Sequence, residues 1–142
     1  MSDGALDLSA LIKASESFAQ SIDVLRQYQI ESSDVALLKT IQAGVIQHFE
    51  FTYELCWKFM KRWLERNLGR SEVEGISRRA LFRLAHESRL IDDVDGWMLF
   101  HAARNQTSHT YEQSTADDVL IVAKSFLPHA QNLRASLQAK ND

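Results

Sequence analysis

Cysteine is nearly absent from this 142-residue chain, where Cys56 stands alone. One thiol forbids an intramolecular disulfide and a cysteine-based zinc site, and its apolar helical neighbours make Cys56 a small core residue. Proline is as scarce, with only Pro128, and glycine occurs five times, so little punctuates the backbone. No apolar run approaches the roughly 18–20 residues needed to cross a bilayer. No basic segment followed by an apolar stretch opens the chain, so a cytoplasmic location away from membranes is expected. Charge of one sign is missing too: 16 Lys and Arg face 19 Asp and Glu, a net −3. A general DNA-coating protein would need many phosphate neutralisations, so DNA is not an expected partner. A local basic pocket stays compatible.

Metal-binding spacings are lacking as well. His48, His86, His101, His109 and His129 form neither a His-Glu-x-x-His pair nor a Glu-x-x-His diiron motif, so no metal or other cofactor is expected. No glycine-rich phosphate loop and no Gly-x-Ser-x-Gly elbow occurs. His48, His86 and His129 read as solvated or edge-of-core side chains.

What is present is helical periodicity nearly throughout, with no sustained alternation of the strand type. The length suits one hydrophobic core, so residues 1–142 are expected to form a single domain. The pattern predicts five helices in an all-α antiparallel up-down bundle of four to five helices. The first runs from about Leu6 to Tyr28, and Gln29 to Asp34 form a polar break. The second runs from about Asp34 to Leu68 and stops at Gly69. At 1.5 Å per residue it would span about 50 Å, so an interruption at Gly44 is expected. Ser77 caps a third helix, Arg78 to about Arg89, and Asp92 or Asp93 caps a fourth that runs into Arg104. Ser114 or Thr115 caps a fifth, which Pro128 should kink by removing one hydrogen bond to Lys124. Gln138 to Asp142 are expected to fray.

Two constellations stand out. Arg104-Asn105-Gln106-Thr107-Ser108-His109-Thr110-Tyr111 is an unbroken run of polar side chains after the apolar stretch from Trp97 to Ala103. It could be a solvated exit loop. Its inventory also suits phosphodiester chemistry: an arginine fork for phosphate oxygens, an imidazole for proton transfer, and hydroxyls and an amide for orientation. If the run stays helical, Arg104 and His109 lie about 140° apart around the axis. One helix then aims them poorly at one phosphate, whereas two copies across a two-fold axis could pair Arg104 of one with His109 of the other. The second constellation is Phe49-Glu50-Phe51-Thr52-Tyr53-Glu54-Leu55-Cys56-Trp57-Lys58. Glu50, Glu54 and Lys58 stand four apart, as in a solvated salt-bridged helix face. Alternatively, Glu50 or Glu54 lines the same cleft as Arg104 and orients its arginine or histidine.

Together these segments resemble the HEPN superfamily, in the branch of nucleotidyltransferase substrate-binding proteins and HepT-type toxins. The pattern Arg-Asn-x-x-Ser-His-x-Tyr is met by Arg104, Asn105, Ser108, His109 and Tyr111, and the upstream signature is unbroken from Phe49 to Lys58. Ser77 to Ala85, followed by Leu90-Ile91-Asp92, also resembles the family's middle helix and turn. Many members carry proline where Ser77 stands, which touches a cap and not the site. The likeness covers about Ile41 to Asp118. It implies a dimerising helical bundle and a small partner nucleotidyltransferase of the MNT type, and in the toxin form a metal-independent endoribonuclease. There Arg104 would hold the scissile phosphate, His109 would act as general acid or base, and Asn105 and Ser108 would orient them. Tyr111 would accept AMP from the neutralising partner. Cleavage of RNA leaving a 2′,3′-cyclic phosphate is the expected outcome. The alternatives are a non-catalytic subunit that binds a nucleotide or substrate for the nucleotidyltransferase, and a purely structural helical dimer.

Overall fold

A computed structural model of the chain describes residues 5–31 and 33–141. Among the described residues five α-helices follow one another: α1 Ser9–Glu31, α2 Val35–Leu68, α3 Arg78–Glu87, α4 Val94–Gln106 and α5 Gln113–Ala139. Short 3-10 turns, Arg70–Glu72 and Thr107–His109, precede α3 and follow α4. No strand occurs among the described residues, so the all-α expectation holds. α1 continues through Glu31, which narrows the expected polar break; Ser32 within it lies outside the described residues.

α2 is a single uninterrupted helix through Gly44, contrary to the expected break. The residues just beyond that glycine explain it. Val45, Ile46 and Phe49 are buried in the core, and burying such a stripe outweighs the ~1 kcal/mol that a mid-helix glycine costs. α5 likewise continues through Pro128. Proline removes one hydrogen bond there, while Phe126 and Ala130 on either side are fully buried.

The helix ends follow from local chemistry. Ala80 N–H donates to Ser77 Oγ (3.1 Å) and Gly96 N–H to Asp93 Oδ1 (2.9 Å), so Ser77 and Asp93 are the N-caps. A Cβ at Gly96 would lie 2.5 Å from the Asp93 carboxylate, so a larger residue there would have to displace the capping side chain. α5 starts earlier than expected: Glu112 precedes its first turn without a side-chain cap, and Ser114 and Thr115 lie inside the helix. The 3-10 turn before it sets that start, since Glu112 N–H donates to His109 O (3.3 Å). The expected fraying at the C-terminus is corrected too. Leu6 N–H donates to Asn141 Oδ1 (2.8 Å) and Asn141 Nδ2 donates to Leu6 O (2.9 Å). Trp63 Nε1 donates to Lys140 O (3.2 Å). Asp142 lies outside the described residues.

One aromatic cluster joins the helices. Phe126 of α5 sits 4.9 Å from Phe100, 5.3 Å from Phe49, 5.4 Å from Trp97, 5.9 Å from Phe18 and 6.1 Å from Tyr53, measured between ring centroids. Four helices thus meet on one ring, which fixes how α4 lies against α2. That seam carries both polar constellations.

Candidate active site

α4 brings Arg104 to the outer edge of the aromatic cluster, one turn beyond the buried Phe100 and next to Ala103. Glu50 and Glu54 of α2 meet it there. They are four residues apart and therefore share a helix face. Arg104 Nη1 lies 3.4 Å from Glu50 Oε2, and its Nε lies 3.3 Å from Glu54 Oε2. The side chains are 30%, 39% and 31% exposed respectively, so solvent screens this attraction and its contribution to stability is about 0–1 kcal/mol. Arg104 Nε is nevertheless buried and makes no hydrogen bond, because the Glu54 contact is close but poorly aligned. The guanidinium is held by charge and retains donor capacity.

Thr107 completes the cluster. Arg104 Nη1 donates to Thr107 Oγ1 (3.1 Å), and Thr107 Oγ1 in turn donates to Glu50 Oε2. The same hydroxyl also lies 2.8 Å from Arg104 O. With a single proton it serves one acceptor at a time, and the carboxylate is the stronger. Thr107 stood at an unspecified position of the Arg104 pattern. Its only sequence signal was its place three residues after Arg104, one helical turn on.

Beyond Gln106 the α-helix gives way to the 3-10 turn that contains Ser108 and His109. His109 is exposed, and its ring meets Tyr111 with centroids 6.4 Å apart. Its described contacts do not include Arg104. Tyr111 is 80% exposed; Asn105 and Ser108 are exposed as well. The fold therefore gathers Arg104, Glu50 and Glu54, while His109 and Tyr111 stand beside them on the following turn.

A neighbouring cluster escaped the sequence reading. Tyr53 Oη lies 2.8 Å from His101 Nδ1, and Arg78 Nη1 donates to Tyr53 Oη (3.0 Å) while lying 3.4 Å from His101 Nδ1. Arginine can only donate, so the tyrosine hydroxyl accepts from Arg78 and gives its own proton to Nδ1. That leaves His101 neutral with its proton on Nε2. Burial, and then the Arg78 charge, hold the His101 pKa below the ordinary imidazole value. Burial pushes Tyr53 up to about 12. His101 stands one turn before Arg104, but Arg78 is 25 residues from Tyr53, and no local pattern could have joined them. Among the described residues, no group of three or more His, Cys, Asp or Glu side chains could hold a metal ion, and no helix is long and apolar enough to cross a membrane.

Known proteins share this arrangement of helices. Residues 6–139 match the family described as nucleotidyltransferase substrate binding protein like. Over 103 residues, 72% of this chain and 70% of the other, the chain is 36% identical to a Haemophilus influenzae protein named Probable ribonuclease HepT. The solved structure of HI0074 from Haemophilus influenzae, described as revealing the fold of a substrate binding domain of a nucleotidyltransferase, superposes with a TM-score of 0.86. It is 31% identical, and the match covers 93% of this chain and 99% of that one. A Thermus thermophilus protein of 25% identity superposes with a TM-score of 0.60, over 89% of this chain and 97% of that one.

Proposed function

The chain belongs to the nucleotidyltransferase substrate binding protein like family, and on that premise we propose that it is a metal-independent endoribonuclease, the toxin of a toxin–antitoxin pair neutralised by a small nucleotidyltransferase of the MNT type. The observation that carries this reading is the meeting of the two sequence constellations at one place, with Arg104 positioned by Glu50, Glu54 and Thr107.

Arg104 binds the scissile phosphate and stabilises the charge that develops on its oxygens. The ribose 2′-hydroxyl attacks phosphorus and passes its proton to an imidazole. The bond from phosphorus to the 5′-oxygen breaks, and that oxygen leaves as a hydroxyl once protonated, so the product is a 2′,3′-cyclic phosphate. A two-fold homodimer that places two Arg104-to-Tyr111 segments in one cleft supplies two copies of His109, one to take the proton and one to give it. Asn105 and Ser108 orient the substrate beside them. DNA lacks the attacking hydroxyl and is not cut. The partner transfers AMP from ATP to Tyr111 Oη with release of pyrophosphate, and the exposure of that hydroxyl suits the modification. Cleavage of RNA and modification by a nucleotidyltransferase fit a cytoplasmic location.

The test is incubation of purified protein with RNA in EDTA, followed by analysis of fragment ends. Cyclic phosphate termini are expected, with activity lost in Arg104→Ala and His109→Ala and kept in Tyr111→Phe, which also resists modification by the partner. Dependence on magnesium, or cleavage that survives both alanine substitutions, would overturn the reading. A second reading, a non-catalytic subunit that presents a nucleotide or other substrate to the nucleotidyltransferase, is favoured by the description of the HI0074 fold. It predicts nucleotide binding without RNA cleavage.

A further inference from the structure

The Arg104 cluster does not exhaust the polar chemistry of the α2–α4 seam. One turn back along α4 and one turn on along α2, a cavity of about 280 Å³ opens between α2, α3 and α4, walled by Trp57, Lys61, Ser77, Arg78 and His101 among others. Its charged and titratable lining consists of Lys61, Arg78 and His101, with no carboxylate among the residues that line it. This is unusual for a chain of net charge −3.

The donors are also pre-positioned. The Arg78 guanidinium carbon lies 3.8 Å from the Trp57 ring centroid, and Nη1 is fixed on the Tyr53 hydroxyl. Ring and hydroxyl hold the arginine in place without neutralising it, so its remaining N–H groups keep their charge and direction. Neutral His101 accepts at Nδ1 and is left with an Nε2–H donor. Lys61 forms no ion pair among the described residues and adds an ammonium. The first turn of α3 contributes the positive end of its dipole to the same wall. Trp57 Nε1 is a buried donor with no acceptor. Lys61, Arg78 and His101 thus give the cavity donors and positive charge, with no carboxylate side chain in its lining.

We propose that this cavity is a second phosphate subsite, which binds a backbone phosphate of the single-stranded RNA next to the one held by Arg104. The proposal rests on the ribonuclease reading for the identity of its ligand. The spacing suits it, because His101 stands three residues before Arg104 on α4, about 4.5 Å along the helix axis. Two phosphate grips on one strand fix its register against the scissile bond, which a single arginine cannot do.

Fluorescence anisotropy with a short 2′-O-methylated single-stranded RNA reads binding without cleavage. Lys61→Gln removes a charge and leaves the Arg78–Trp57 stack intact; Arg78→Gln removes the other, with circular dichroism melts to confirm that each variant is folded. Each is expected to weaken binding about 10- to 100-fold, as for the removal of a charge-assisted hydrogen bond. The salt slope should fall by about 0.7 for each phosphate that a variant no longer neutralises. Binding and salt slope unchanged in folded Lys61→Gln and Arg78→Gln overturn the subsite, whatever the cleavage assay shows. Lys61-dependent binding of free AMP or ATP, with RNA affinity unaffected, overturns it in favour of a mononucleotide pocket. Loss of RNA affinity in Lys61→Gln in a protein that cuts no RNA supports the subsite and removes only the ribonuclease reading.

Discussion

Two arginines on one seam of the bundle are held in opposite ways. Arg104 sits between Glu50 and Glu54 with Thr107 bridging, so its charge is already answered and an incoming phosphate must compete with two carboxylates. Arg78 is held by a ring and a hydroxyl, so its charge is unanswered and open to a ligand. The difference separates aiming from attraction. Carboxylates fix direction at the expense of ground-state affinity, as suits a group that matters most when negative charge grows on the phosphate. Neutral partners preserve affinity, as suits a group that captures and registers a strand.

The largest expected effect sharpens this contrast on the side of Arg104. Arg104→Ala should lower RNA cleavage by about 10²–10⁴ while changing stability by no more than about 1 kcal/mol, because the pairs it loses are partly exposed. Single-turnover cleavage and a denaturant titration on the same preparation check both halves. Arg78→Ala should show the reverse emphasis. Losing the stack on Trp57 and the bond to Tyr53 costs about 1–2 kcal/mol of stability, with RNA affinity falling more than the cleavage rate at saturation. Equal stability losses at both arginines would break the comparison.

Thr107→Val comes next. It keeps the shape and removes the hydroxyl that joins Arg104 to Glu50, which should lower cleavage about tenfold, the equivalent of one modest hydrogen bond. Thr107→Ser should restore the rate if the hydroxyl acts by positioning Arg104.

The smallest effect is in pH. His101 has a lowered pKa in the fold, so the unfolded chain binds its proton more readily. The corresponding stability is complete above the unfolded value of about 6.5 and declines as pH falls from there toward the folded value. Tyr53 is raised to about 12. The folded chain therefore keeps that proton longer, and stability should also decline as pH rises above about 10. Thermal melts should show a shallow loss at both limbs, with Tyr53→Phe flattening the alkaline one.

The sequence alone determined the five helices, because the 3.6-residue recurrence of apolar side chains leaves no other way to bury them. It placed the cap at Ser77 and narrowed the next one to Asp92 or Asp93, of which the structure chose Asp93. It also marked Arg104, Glu50 and Glu54, since a polar run after an apolar stretch and carboxylates at four-residue spacing are visible within a few positions. Local patterns could not decide that Gly44 would stay helical, that Asn141 would clasp Leu6, or that α5 would begin without a serine or threonine cap. Each of these depends on what distant chain packs nearby. Only the tertiary structure decided which carboxylates face Arg104, and that Thr107 bridges them. It alone joined Arg78, Trp57, Tyr53 and His101 beside one cavity, because α3 and α4 close there onto the middle of α2. Helix formation is encoded in neighbours along the chain, whereas a site is encoded in side chains that meet only after the core has closed.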